Sequence, residues 1–176
     1  MDRFLEEIVV KKQRTANEVL YVLAIVTMVI TALMAFMGLN VLFMGFTVPL
    51  LILTLLNAGI AVFLFLRRDR LRTEYEYTFT NGDMDFAMVF NNQKRKNLGS
   101  LKVRNVEAFG PVSGSGFGRY VSMPGIKTSN WFLNRGAELY YFYFQKESNK
   151  RLIVCEPSDE MVTFIKQYLP RGSYQE

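Results

Sequence analysis

From Val19 to Leu66 the chain contains no Lys, Arg, Asp or Glu. One bilayer crossing takes about 20 apolar residues, so this run is too long for one span and long enough for two. Gly38, Asn40, Gly45 and Thr47 mark a turn inside it. Pro49 falls in the first turn of the second segment, where a missing N–H costs nothing. The pattern predicts a membrane α-hairpin over residues 17–66, with spans at about 17–38 and 47–66. Glu18 stands at the mouth of the first span, and Tyr21 lies at headgroup depth. Thr27, Thr31, Thr54 and Asn57 read as hydrogen-bonding positions between the two helices. No ionisable residue falls mid-membrane, which argues against a proton relay or an ion path.

The flanks give the orientation. Arg3, Lys11, Lys12 and Arg14 precede the run, Arg67, Arg68, Arg70 and Arg72 follow it, and the turn is uncharged. The positive-inside rule then puts both termini in the cytoplasm of a multi-pass membrane protein. The leader is long, contains acids and lacks an A-x-A site, unlike a cleaved signal peptide. The formal net charge of +5 over 176 residues follows from these clusters and suits anionic headgroups. No nucleic-acid signature accompanies it. Within the leader, 1–16, Phe4, Leu5, Ile8 and Val9 fall on one helical face. This predicts a short amphipathic helix in the headgroup region, or one packed on the soluble part.

Beyond the hairpin the period changes from helix to strand. Tyr75, Tyr77 and Phe79 alternate with polar residues from Glu74 to Thr80, and Asn81-Gly82 is a two-residue hairpin signal. Met84, Phe86, Met88 and Phe90 form one face of the return strand. Asn91 to Asn97 reads as a polar, basic turn, and Leu98 to Phe109 as one or two further strands broken near Arg104-Asn105. Gly110 to Gly136 is rich in glycine and carries no acid. It reads as a long loop, with Arg119–Met123 or Ser129–Leu133 as a short strand. Glu138 to Gln145 and Arg151 to Glu156 form another hairpin. Its first strand is aromatic on both faces, which requires a central position or a covering helix. Ser158 N-caps a final amphipathic helix that ends at Pro170. Residues 171–176 read as a frayed tail.

Antiparallel strands in series closed by one C-terminal amphipathic helix resemble the plan of a pleckstrin-homology-like (PH-like) barrel. Nearly the whole chain resembles a family of small two-span membrane proteins from Gram-positive bacteria with a PH-like C-terminal domain. The resemblance rests on Met1-Asp2-Arg3-Phe4, the segment Tyr75-Glu76-Tyr77-Thr78-Phe79-Thr80-Asn81-Gly82, Val106-Glu107-Ala108-Phe109-Gly110 and Tyr168-Leu169-Pro170-Arg171. The fold class is then a membrane α-hairpin plus an α+β domain. Two transmembrane helices precede an antiparallel PH-like β-barrel or sheet over 72–170, closed by the C-terminal helix. The resemblance implies this architecture and a bacterial cell membrane, and brings no reaction or ligand with it.

The residues themselves point away from catalysis. There is no histidine, so the commonest general base and metal ligand are missing. Cys155 sits on an apolar strand and reads as core. Asp83 and Asp85 share a strand face but have no third ligand, and Gly114-Ser115-Gly116-Phe117-Gly118 lacks the Lys and helix of a P-loop. No cofactor or metal site is predicted. Two recognition candidates remain. Lys94, Arg95 and Lys96 form a basic surface for anionic lipid or a protein partner, since PH-like domains often meet acidic headgroups through a turn between early strands. Trp131 and Phe132 form a contact on the mobile loop. The reading is a membrane-anchored, non-enzymatic interaction module that presents a PH-like domain to the cytosol. It binds a protein partner or itself, with anionic lipid as a further ligand. The alternative is an accessory subunit of a membrane transporter or channel.

Overall fold

A computed structural model describes residues 3–176, so the first two residues of the leader lie outside it. The chain divides into two compact units, Gln13–Thr73 and a discontinuous one made of Met1–Lys12 with Glu74–Glu176.

The first unit is a pair of helices, α1 (Arg14–Met44) and α2 (Val48–Arg67), followed by a 3-10 turn at Arg68–Arg72. Both are long and apolar enough to cross a membrane. Leu33, Phe36, Leu55 and Phe63 are more than half exposed, as are many neighbours, so almost the whole apolar surface is unburied. The buried positions are Thr31 and Ala35 on α1 and Thr54 and Asn57 on α2. This is a seam of small and polar residues of the kind that lets helix backbones approach closely. Gly38 belongs to the seam and not to a turn: a Cβ there would collide with the Thr54 hydroxyl. Helix α1 therefore runs on to Met44, and Gly45 to Thr47 make the connection. The polar seam residues do not donate between helices. Thr31 Oγ1, Thr54 Oγ1 and Asn57 Nδ2 each donate to a carbonyl one turn back in their own helix, at 2.8–2.9 Å. At the base, Arg72 pairs with Glu18 and its guanidinium lies 3.7 Å from the Tyr21 ring centre. The start of α1 and the end of α2 are thereby tied together.

The second unit contains two four-stranded sheets. The first has the order β1-β2-β3-β4, from β1 (Phe4–Val9), β2 (Thr73–Thr80), β3 (Asp83–Phe90) and β4 (Lys94–Lys102). The second has the order β5-β7-β8-β6, from β5 (Ala108–Pro111), β6 (Lys127–Trp131), β7 (Tyr140–Lys146) and β8 (Asn149–Cys155). The β2–β3 turn is the predicted one, with Asn81 at φ 51° and Gly82 at φ 96°. The terminal helix α4 (Asp159–Tyr168) is also as predicted, with Ser158 Oγ accepting the Met161 N–H at 3.2 Å. Met161, Val162 and Ile165 join a core whose largest members are Tyr77, Phe79, Phe86, Phe109 and Phe142.

Four expectations are corrected. The leader is a strand and not a helix: β1 pairs antiparallel with β2 from Phe4↔Thr80 to Val9↔Tyr75. Ile8-Val9-Val10 is a β-branched run that favours a pleated surface, and β2 would otherwise leave unpaired backbone groups at its edge. Secondly, the sheets do not close into a barrel. Lysines on the facing edge strands β4 and β6 would be driven together by pairing. Thirdly, residues 110–136 are not one long loop but include a short helix and the strand β6. Helix α3 (Phe117–Val121) and its flanks cover the outer face of the second sheet, with the Tyr120 ring tilted against Tyr143 at 4.7 Å between centroids and Phe117 5.4 Å from Tyr141. This is the cover that the doubly aromatic β7 requires. Finally, the tail is docked. Phe109 N–H donates to the Ser173 carbonyl and Gln175 N–H donates to the Phe109 carbonyl, both at 2.8 Å. Gly110 is needed there because a Cβ would strike the Gln175 carbonyl.

β1 alternates exposed Phe4, Glu6 and Ile8 with inward Leu5, Glu7 and Val9. Glu7 accepts the Ser158 N–H at 3.1 Å. Burial is the largest influence on this carboxyl and raises its pKa above 4.5, outweighing the lowering by its Ser158 bonds. The folded state then holds the proton more tightly than the unfolded chain. The penalty is fully present above the raised pKa and fades as pH falls toward 4.5. Glu7→Gln keeps an acceptor for Ser158. It is expected to melt above the parent at neutral pH and to converge with it as the medium is acidified. A pH-independent difference would contradict this assignment.

Candidate functional site

The sequence candidates are divided by the fold. The turn after β3 is only Asn91 to Gln93, and Lys94, Arg95 and Lys96 open strand β4. They alternate, so they do not form one basic surface. Arg95 pairs with the buried Glu76 carboxylate. Lys96 is the cross-strand partner of Met88, which packs on the inner core, so Lys96 stands on the core-facing side of β4 and is exposed at its open edge. Trp131 and Phe132 also part company. Trp131 packs on the inner core, 4.9 Å from Phe86, while Phe132 joins the outer cluster with Tyr141 and Tyr143.

Lys96 and Trp131 meet at one place. Between the open edges of the two sheets lies a cleft of about 310 Å³. Its lining includes Lys96, Lys127, Lys146, Arg151, Ser129 and Trp131, and no acidic residue. The register explains the assembly. On β7, Phe142, Phe144 and Lys146 share a face; on β8, Ile153 and Arg151 do; on β6, Trp131, Ser129 and Lys127 do. Phe142 pairs with Ile153, Ser129 with Ile153, Phe144 with Arg151, and Lys127 with Arg151. The inner face of the second sheet is thus apolar at one end and cationic at the other. The Trp131 ring reaches β4 at Gly99, its tip 3.9 Å from where a Cβ would stand, an ordinary contact distance. Tyr77 holds the same strand from behind, its hydroxyl donating to the Trp131 carbonyl and accepting the Glu156 N–H at 3.3 Å.

Sequence reasoning passed over Lys127, Lys146 and Arg151 as site residues. Lys146 and Arg151 flank one predicted hairpin turn, but Lys127 is distant in the chain, and the parallel β6–β8 pairing that brings it opposite Arg151 leaves no local signature. The other candidates stay apart from this cleft. Asp83 and Asp85 line a neighbouring cavity of about 340 Å³ together with Lys102, and no group of three or more His, Cys, Asp or Glu side chains gathers among the described residues. Cys155 is fully buried, with Sγ 3.8 Å from the Tyr140 carbonyl, and burial pushes its thiol pKa up. A buried, protonated thiol is inert.

No curated protein and no solved structure matches the chain. One family does, described as a bacterial PH-like domain (DUF6106), over residues 1–175. That match spans both units, the helical pair and the two-sheet domain with its terminal helix, and by it the chain belongs to this bacterial PH-like family.

Proposed function

We propose that this protein is a membrane-anchored, non-enzymatic binding module, whose helical pair crosses the bilayer twice and whose PH-like domain works in the cytosol. The observation that carries the reading is the pairing of β1 with β2. These strands flank the helical pair in sequence and are hydrogen-bonded neighbours in one sheet. The two ends of the pair therefore lie on the same side of any membrane it enters, so the number of crossings is even. The arginines and lysines at both ends favour the cytoplasmic side. The seam side chains donate to their own helices, which suits an anchor better than a polar transport path.

Cysteine labelling on intact cells tests the topology. In a Cys155→Ala background, Gly45→Cys lies in the exposed connection between the helices and Arg171→Cys on the exposed end of the domain. An impermeant maleimide is expected to label the first in intact cells and the second only after lysis. Labelling of Arg171→Cys in intact cells would overturn the orientation.

A further inference from the structure

We infer that the cleft between the sheets is a binding site for a small ligand with two or more phosphate charges. This names the ligand class of the module proposed above and rests on that reading only in taking the domain as cytosolic.

The core-facing side of a two-sheet domain is where apolar side chains are expected, yet four strands of this one place cations at its open edge, with Lys96, Lys127 and Lys146 exposed and Arg151 half-buried. Lys127 stands directly opposite Arg151 in the β6–β8 ladder. Like charges on adjacent positions of one sheet face repel each other. Lys146 on β7 and Lys96 on β4 border the same space. None of the four takes part in an ion pair among the described residues. The Arg151 Nε–H is buried without a hydrogen-bond partner. A buried donor left unmade is costly, and a bound oxyanion would satisfy it. Lysines on sheet edges also discourage edge-to-edge pairing, which accounts for Lys96 and Lys127. It does not account for Arg151, because β8 lies inside its sheet between β7 and β6.

Size decides between a small ligand and a macromolecule. A cleft of about 310 Å³ is at the small end of small-molecule sites. Its polar complement is donor-rich: four cations, Ser129 and Asn97. Trp131 adds a flat apolar wall. A compact phosphorylated group fits this chemistry, whether free in solution or carried on a lipid.

Trp131 is the only tryptophan in the chain, so intrinsic fluorescence reports from the cleft itself. The full chain in an uncharged detergent would be titrated with inorganic pyrophosphate. A saturable change in Trp131 emission is expected, with a midpoint that rises with added salt. The double variant Lys127→Gln/Arg151→Gln should weaken the response by about tenfold or more, since it removes charge-assisted bonds. Without ligand the same variant should melt at or above the parent's temperature, because the opposed charges are gone. Arg171→Gln, outside the cleft, should respond like the parent.

The source of the phosphate is read in lipid nanodiscs. If it is a headgroup, Trp131 emission should differ between phosphatidylglycerol and phosphatidylcholine discs, and pyrophosphate should reverse the difference. If it is a soluble ligand, the two discs should give the same spectrum and the same pyrophosphate response. No saturable response to pyrophosphate together with identical spectra in both discs would overturn the proposal. So would an equal loss in Arg171→Gln, or an undiminished response in a folded double variant. None of these readings depends on which side of the membrane the domain occupies.

Discussion

Tyr77→Ala is expected to remove most of the stability of the two-sheet domain. Tyr77 is fully buried, and its ring packs edge-on against Phe86 at 5.5 Å between centroids. Truncating a buried aromatic residue to alanine costs about 3–5 kcal/mol. The hydroxyl adds to this. It bridges β2 to the Trp131 carbonyl and the Glu156 N–H, so its loss leaves a donor and an acceptor unpaired inside the fold. Burial pushes the phenol pKa far above its ordinary range, so the group stays a donor at every accessible pH. Domains of this size have a total stability of about 5–15 kcal/mol, and each kcal/mol moves the midpoint by about 4–8 °C. A fall of about 15 °C or more in the Trp131-detected melt is therefore expected. Tyr77→Phe separates the two contributions: it keeps the ring and should cost about 1–3 kcal/mol. A Tyr77→Ala protein that melts within a few degrees of the parent would show that the sheets are not joined through this residue.

That bridge also ties the fold to the candidate site. The strand that Tyr77 anchors, β6, carries Trp131, Ser129 and Lys127 into the cleft. Tyr77→Phe is thus expected to loosen the cleft wall as well as the core.

Much of this architecture was legible from local pattern. The uncharged run identified the helical pair, period-two alternation identified β2 and β3, a polar turn between two apolar runs identified β7 and β8, and Asn81-Gly82 fixed the first hairpin. Ser158 and the stripe from Met161 to Leu169 gave α4. What was hidden depended on distant partners. Phe4, Leu5, Ile8 and Val9 satisfy helical spacing as well as a strand does, and only the unpaired edge of β2 decides between them. The aromatic residues on both faces of β7 announced that a cover was required. That Phe117 and Tyr120 supply it follows from tertiary packing, although their i, i+3 spacing is a helix signal. The docked tail was equally hidden, because residues 171–176 have no apolar period and their order comes from backbone bonds to Phe109. The cleft was the least legible part. Its cations belong to four strands, and the contiguous basic run Lys94-Arg95-Lys96 is a strand whose alternation sends Arg95 to Glu76 and puts Lys96 on the opposite face. Contiguity in sequence suggested a patch that the pleat does not allow.

The pairing of β1 with β2 makes the leader part of the smallest folding unit. A fragment beginning near Arg72 contains every strand except the one that completes the first sheet. It would expose the β2 edge, lose Leu5 and Val9 from the core, and lose the Glu7 carboxylate from Ser158. It would also lose the bonds of Asn134 to the Val10 carbonyl and the Lys12 N–H, at 2.9 and 2.8 Å. Burying each large apolar side chain contributes about 1.5–3 kcal/mol, so the loss is a large share of the domain's stability.

The direct measurement compares two proteins that both lack the helical pair. One is residues 72–176 alone. The other joins residues 3–12 to 74–176 through a Gly/Ser linker of about five residues, an ordinary hairpin loop length, because Val9 and Tyr75 are cross-strand partners. The joined protein is expected to be monomeric and to give one cooperative melt followed by Trp131 fluorescence. The fragment without β1 is expected to aggregate or to melt without a cooperative transition. Equal, cooperative melting of the two would contradict the pairing of β1 with β2, and with it the argument that both ends of the helical pair share one side of the membrane.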